Sequence, residues 1–209
     1  MNKLDATLMD KAPDNMIAVI LSGGQSRRMG QDKGLIQQDG LAWTESLQQK
    51  LEKIGLKTYV SINNQQKDTY TEVFSDQTLI LDHPSSAHLN GPIKGILSAH
   101  LAVPNQDILF LPCDMPALST DTFLWWISEF TKSEQEDKVV VCSTPDYLQP
   151  LCGVYSQASL KRLMQYYEDE KLRDQSMHSI IEEMLKATVI SIPSEFLPQF
   201  KNFNTPDDL

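Results

Sequence analysis

No apolar run in this chain approaches the roughly 20 residues that a membrane-spanning helix needs. Cysteine is scarce as well. Cys113, Cys142 and Cys152 are odd in number, and no two have the CxxC spacing of a metal or redox site. They read as buried free thiols in a reducing compartment. Positive charge is short: 18 Lys and Arg stand against 28 Asp and Glu, a net charge of -10. So acidic a chain lacks the basic footprint of a nucleic-acid binder and is repelled by anionic membrane surfaces. It can still hold anionic small molecules where backbone N–H groups and a few basic side chains converge. The four histidines, His83, His88, His100 and His178, form neither an HExxH helix nor a triad-like set. Nucleophile-elbow, Walker and dinucleotide-binding patterns (GxSxG, GK[ST], GxGxxG) are all missing. The opening stretch carries acids and no apolar core, so it does not read as a secretory signal. We expect a flexible arm over residues 1–15, one domain over 16–209, and a cytoplasmic location.

What is present is an ordinary globular composition. The 209 residues are 41% hydrophobic and 22% charged. A single domain of this size buries roughly 70% of the surface of its unfolded chain. Short β-branched runs alternate with amphipathic segments, the pattern of an α/β sheet. Residues 16–21 (MIAVIL) are apolar throughout, as in a central strand buried on both faces. A loop over 22–33 follows, then a helix from near Leu41, with Leu47, Leu51 and Ile54 on one face. Further strands are predicted at 57–63, 78–81, 107–112, 139–142, 151–155 and 188–192. Helices are predicted from Gly91-Pro92, with Ile93, Leu97 and Leu101 inward, and over 119–131, 158–170 and 176–186. Trp125 and Trp126 fall inside an amphipathic helix and read as core. The expected fold is α/β, a mostly parallel open sheet flanked by helices in a Rossmann-like arrangement in one domain.

Four places carry candidate chemistry. The first strand runs into Leu21-Ser22-Gly23-Gly24-Gln25-Ser26-Arg27-Arg28-Met29-Gly30-Gln31-Asp32-Lys33. Glycines admit an anion close to the backbone and reach positive φ, and their N–H groups form a nest for phosphate oxygens. Arg28 and Lys33 add charge for the β- and γ-phosphates. Asp114 follows a buried strand directly, where ligand sites of open α/β sheets lie. One carboxylate completed by phosphate and water suits Mg²⁺; the competing role is a cap on the next helix. Asn90-Gly91-Pro92-Ile93-Lys94-Gly95 places a helix N-terminus near an anion site or makes an ordinary turn. Asn202 and Asn204 alternate on an extended stretch and either offer carbonyl oxygens to a ligand or form a turn.

With these motifs in view, the chain resembles the molybdenum cofactor guanylyltransferases, the MobA-like branch of the nucleoside-triphosphate transferases. LSGGQSRRMGQDK, a strand ending SIN, GPIKGI, LPCDMP, QPLCGVY and NFNTPDDL occur in family order from Ile17 to Leu209. The resemblance implies transfer of GMP from GTP to the phosphate of molybdopterin, releasing pyrophosphate. It implies GTP contacts from Leu21, Ser22, Gly23, Lys33, Asn63, Asp82 and Asp114, with Asp82 fixing base or ribose and Asp114 binding Mg²⁺. Implied protein partners are molybdenum-insertion proteins and molybdoenzyme chaperones. Two departures stand out: Lys94, where the family commonly has a small residue, and the long N-terminal arm. The alternatives are a cytidylyltransferase on the same cofactor, a sugar-phosphate nucleotidyltransferase, and a non-catalytic molybdopterin or nucleotide carrier.

Overall fold

A computed structural model of the chain describes residues 11–24 and 32–203. Strand β1 (Met16–Leu21) is an interior strand, third in the order of a seven-stranded sheet. It pairs in parallel with β4 (Lys57–Ile62) on one side and β6 (Asp107–Pro112) on the other. Edge strand β5 (Leu79–Leu81) is parallel to β4. Beyond β6, the antiparallel pair β8 (Leu148–Tyr155) and β7 (Val139–Ser143) is followed by β9 (Thr188–Ser191), parallel to β7. The order is thus β5-β4-β1-β6-β8-β7-β9, a mostly parallel open sheet as expected.

Side-chain alternation along the strands divides the core in two. Met16, Ala18 and Ile20 of β1, with Leu109 and Leu111 of β6, meet helices α1 (Trp43–Lys53) and α4 (Thr120–Thr131) on one face. Ile17 and Val19, with Ile108 and Phe110, meet α3 (Pro92–Ala102) and α5 (Gln157–Glu168) on the other. Burial on both faces is why these strands read as unbroken apolar runs. The stripe Leu47, Leu51 and Ile54 and the pair Trp125 and Trp126 all lie in the first core; Ile93 and Leu97 lie in the second, with Leu101 packed at its rim. All three cysteines are buried and unpaired.

The structure departs from the sequence reading around Leu41. Gln37–Gln38 (β2) and Leu41–Ala42 (β3) form a hairpin, and the helix begins only at Trp43. Asp39 and Gly40, both at positive φ (53° and 83°), make its two-residue turn. An Asp-Gly pair is a strong hairpin signal because both central residues need positive φ. The segment expected as a helix over 176–186 is one helical turn, α6 (Met177–Ser179), running into a wider-wound stretch at Ile180–Leu185 that ends on Lys186 at φ 50°. Of the expected arm, residues 11–15 are described: Ala12 is buried and donates its amide to Ile54 at 3.0 Å. Among the described residues no helix is long and apolar enough to cross a membrane.

Candidate active site

The carboxyl ends of β5, β4, β1 and β6 open into a cavity of about 670 Å³. That is ample for a nucleotide-sized ligand, since such pockets run to roughly 300–1,000 Å³. Leu21, Ser22, Gly23, Lys33, Asn63, Asp82 and Asp114 all line it. One sheet edge therefore brings together seven candidates spread over more than ninety positions of sequence. Arg28 and Asn204 lie outside the described residues, and Asn202 is not among the lining residues.

At the end of β1, the Ser22 amide continues the ladder to Ser61 at 2.8 Å. The turn that follows is braced from β4: the Asn63 side chain donates to the Gly23 carbonyl at 3.2 Å. Neither Gly23 nor Gly24 has positive φ, contrary to the sequence argument for them. Among the described residues, a Cβ on Gly24 would meet nothing within 4 Å, and one on Gly23 would meet the Asn63 amide nitrogen at 3.7 Å and the Ile62 carbonyl carbon at 3.9 Å. A bare backbone at this turn admits an anion closely.

Beneath this turn lies a polar knot that the sequence reading missed. The Asp32 carboxylate accepts from the Gly34 amide at 3.0 Å and from the Tyr70 hydroxyl at 2.9 Å, and Gln66 donates to it as well. Gln66 also donates to the Ser22 carbonyl at 2.9 Å and accepts from the Asn63 amide at 2.9 Å. The knot thus ties the lysine segment to the first turn. Burial, then the neighbouring Asp32 carboxylate, pushes the Tyr70 phenol up, so it stays a proton donor. One sequence signal was available: Asn63-Asn64-Gln65-Gln66 has capping-box spacing, and Asn63 and Gln66 do cap that short helix.

Asp114 lies two residues past β6. Its carboxylate Oδ2 receives Lys33 Nζ at 3.0 Å, with the side chains 20% and 16% exposed. The backbone carbonyl of Asp114 accepts from the Phe203 amide at 3.0 Å, so the C-terminal segment passes beside it. Asp114 does not cap the next helix; Ser119 does, accepting from the Thr122 amide at 3.3 Å. Among the described residues no cluster of three His, Cys, Asp or Glu is present to hold a metal alone. One carboxylate beside a phosphate-sized space fits a hard cation that takes its other ligands from phosphate and water. The adjacent Cys113 thiol is pushed up to about 12, chiefly by burial, which favours its protonated form.

At the opposite end of the cavity, Asp82 follows β5 and pairs with Lys94 of α3 at 3.5 Å. Gly91, at φ 73°, makes the turn that aims this helix at the strand ends.

Residues 18–187 match the family described as the MobA-like NTP transferase domain. A Methanothermobacter thermautotrophicus protein named "Probable molybdenum cofactor guanylyltransferase" is 33% identical over 196 residues, covering 91% of this chain and 95% of its own. The molybdenum cofactor guanylyltransferase of Vibrio parahaemolyticus is 29% identical over 198 residues, covering 91% of each chain. Among solved structures, the molybdopterin-guanine dinucleotide biosynthesis protein A of Archaeoglobus fulgidus superposes with a TM-score of 0.67 at 21% identity, over 92% of this chain and 94% of its own. That likeness concerns the fold, and the family match supplies the rest: the chain belongs to the MobA-like NTP transferases.

Proposed function

We propose that this protein transfers GMP from GTP to the terminal phosphate of molybdopterin, forming the guanine dinucleotide cofactor and releasing pyrophosphate. The observation that carries the reading is the single cavity holding the Gly23-Gly24 turn, Lys33 and Asp114 at adjacent strand ends. The names of the relatives supply the base and the acceptor.

An oxygen of the acceptor phosphate attacks the α-phosphorus in line, a new P–O bond forms, and the bond to the β-phosphate oxygen breaks. The attacking phosphate is already ionised near neutral pH, so no strong base is needed, and the work is positioning and charge neutralisation. Backbone N–H groups of the Gly23-Gly24 turn hold the phosphates. Lys33, and Arg28 from the segment outside the described residues, neutralise charge gathering on the departing pyrophosphate. Asp114 would hold Mg²⁺, which when bound supplies charge neutralisation across the phosphate oxygens. Asn63 keeps the turn open, and Asp82 serves the nucleoside.

Thermal melting with nucleotides tests this reading. A ligand at a hundredfold excess over Kd stabilises the fold by about 2.7 kcal/mol, or roughly 5–10 °C for a domain of this size. GTP with Mg²⁺ should produce that shift and CTP clearly less. A larger shift with CTP would replace guanylyl with cytidylyl transfer, and no shift with any triphosphate would favour the carrier.

A further inference from the structure

Where β1 ends, the direction of one peptide unit decides what the cavity wall offers an anion. The Ser22 amide is fixed by its bond to the Ser61 carbonyl at 2.8 Å. The Ser22 carbonyl and the Gly23 amide share the next peptide unit, which is planar and trans, so the two groups point opposite ways. Turning that unit over exchanges them and swings the Gly23 φ by about 180°, which glycine tolerates because it accepts either sign. One direction faces the cavity with a carbonyl oxygen, which repels phosphate; the other faces it with an N–H. Glycine leaves the choice open, so a group outside the turn must settle it. Gln66 is that group. Its Nε2 donates to the Ser22 carbonyl at 2.9 Å and to Asp32 Oδ2, while its Oε1 accepts from the Asn63 amide at 2.9 Å. Only this orientation of the side-chain amide serves all three partners: reversed, its oxygen would face two acceptors and its NH2 a donor. Gln66, Asp32 and Tyr70 stand off the cavity wall, whereas Ser22, Gly23 and Gly24 line it. The Ser22 carbonyl thus turns back toward Gln66, and the Gly23 N–H turns toward the cavity. Asp32 is gripped in turn by the Tyr70 hydroxyl at 2.9 Å and the Gly34 amide at 3.0 Å, and Lys33 follows it in sequence.

We propose that Gln66 is a positioning residue for the transfer: by holding the Ser22 carbonyl back, it keeps the Gly23 amide facing the triphosphate. The inference rests on the guanylyltransferase reading above. Gln66 acts through the Ser22–Gly23 peptide and through Asp32, so the direction of the amide is coupled to the segment that carries Lys33. What the place demands is an uncharged double donor. That demand separates the role from a structural one. Capping the short helix Asn64–Gln66 uses only the side-chain oxygen, which accepts from the Asn63 amide. A carboxylate supplies that oxygen equally well. It cannot donate, however, and it would set a negative charge against the Asp32 carboxylate and the Ser22 carbonyl.

The test uses the full chain with Mg²⁺ and compares wild type, Gln66→Glu and Gln66→Met. Thermal melting checks that each is folded; Kd for GTP, the inhibition constant of guanosine and turnover with molybdopterin are then measured across pH. Both variants should weaken GTP by about tenfold or more, the worth of one hydrogen bond to a charged group, and slow turnover with it. Guanosine has no phosphate for the amide to hold, so its constant should stay near wild type. Relative to wild type at the same pH, the loss in Gln66→Glu should shrink as pH falls from about 8 to 6, because a carboxyl facing Asp32 takes up its proton above the usual range and can then donate. Tyr70, the other titratable group on Asp32, remains a proton donor throughout. The loss in Gln66→Met should not vary with pH. A folded Gln66→Glu protein with wild-type GTP affinity and turnover at the upper pH overturns the assignment. So does equal weakening of GTP and guanosine, which marks a collapsed site and not a turned amide. Either result beside intact GMP transfer by wild type removes this inference alone; a wild-type protein that binds no triphosphate removes the guanylyltransferase reading and this inference with it.

Discussion

At the scale of single residues, two charge pairs line the cavity, Lys33–Asp114 at 3.0 Å and Lys94–Asp82 at 3.5 Å. The proposed reaction assigns Lys33 to the phosphates and Asp114 to Mg²⁺. Removing Asp114 deletes one preorganised electrostatic group, which is worth roughly 10²-fold or more in turnover. Asp114→Ala should therefore fold, melt close to wild type and transfer GMP at least about a hundredfold more slowly. Near-normal turnover by the folded variant would remove Asp114 from the chemistry. Lys33→Ala should weaken GTP far more than GMP, because a hydrogen bond from a charged donor is worth about 1.5–3 kcal/mol and GMP lacks the phosphates it serves. Equal losses for the two nucleotides, measured by titration calorimetry, would assign the lysine elsewhere. Gly24 offers a cleaner separation of fold from function. No described residue lies within 4 Å of the Cβ it lacks, so Gly24→Ala should leave stability near wild type while lowering GTP affinity.

Between elements, the site depends on how the loop after β1 is tied to β4 and α2 (Lys67–Thr71). A Cβ on Gly34 would collide with the Tyr70 hydroxyl and stand 2.7 Å from Thr44 Oγ1 and 2.9 Å from Ser22 Oγ. Gly34→Ala should thus cost about 1–3 kcal/mol of overpacking. That corresponds to a fall in Tm of roughly 2–12 °C, with GTP affinity lost alongside because Asp32 and Ser22 are displaced. A melting curve like that of wild type would show that the knot yields easily. This element level is also where the sequence was least legible. Strands 16–21 and 107–112 were readable to the residue, since burial on both faces leaves an unbroken apolar run. The places of Gly23-Gly24 and Asp114 just past their strands were readable too, because each adjoins one of those apolar runs. The knot was not, because Asp32 finds Gln66 and Tyr70 at separations of 34 and 38 residues. The pairing of Asp82 with Lys94 was hidden for the same reason, though each residue had been singled out. The hairpin at Asp39-Gly40 was overlooked when the helical spacing of Leu47, Leu51 and Ile54 was extended back to Leu41.

Over the whole molecule, burial of ionisable groups shapes stability against pH. The folded state holds the Cys113 thiol up to about 12, and burial raises Cys142 and Cys152 as well. Burial also raises Tyr70 and Tyr155. Each stays protonated in the fold while the unfolded chain ionises, so its contribution is complete below its ordinary value, about 9 for a thiol and about 10 for a phenol, and is lost as pH rises through the folded value. Burial lowers His100 instead; it stays neutral in the fold, and its contribution fades as pH falls below about 6.5. Unfolding free energy from urea titrations should therefore be flat near pH 7–8 and fall from about pH 9, by about 1.4 kcal/mol per pH unit for each buried thiol. A flat profile to pH 11 would mean that the thiols are solvated. The same packed sheet delivers the Gly23-Gly24 turn, Lys33, Asp114 and the Asp82–Lys94 pair to one edge, and the central claim is that this edge performs guanylyl transfer. Its most direct measurement incubates the full chain with Mg²⁺, molybdopterin and GTP labelled at the α-phosphate, with α-labelled CTP and ATP in parallel. The account predicts that label from GTP appears in a molybdopterin dinucleotide with equimolar pyrophosphate, and that CTP and ATP give far less. Label transferred from CTP in preference to GTP, or bound GTP with no label transferred, would contradict it.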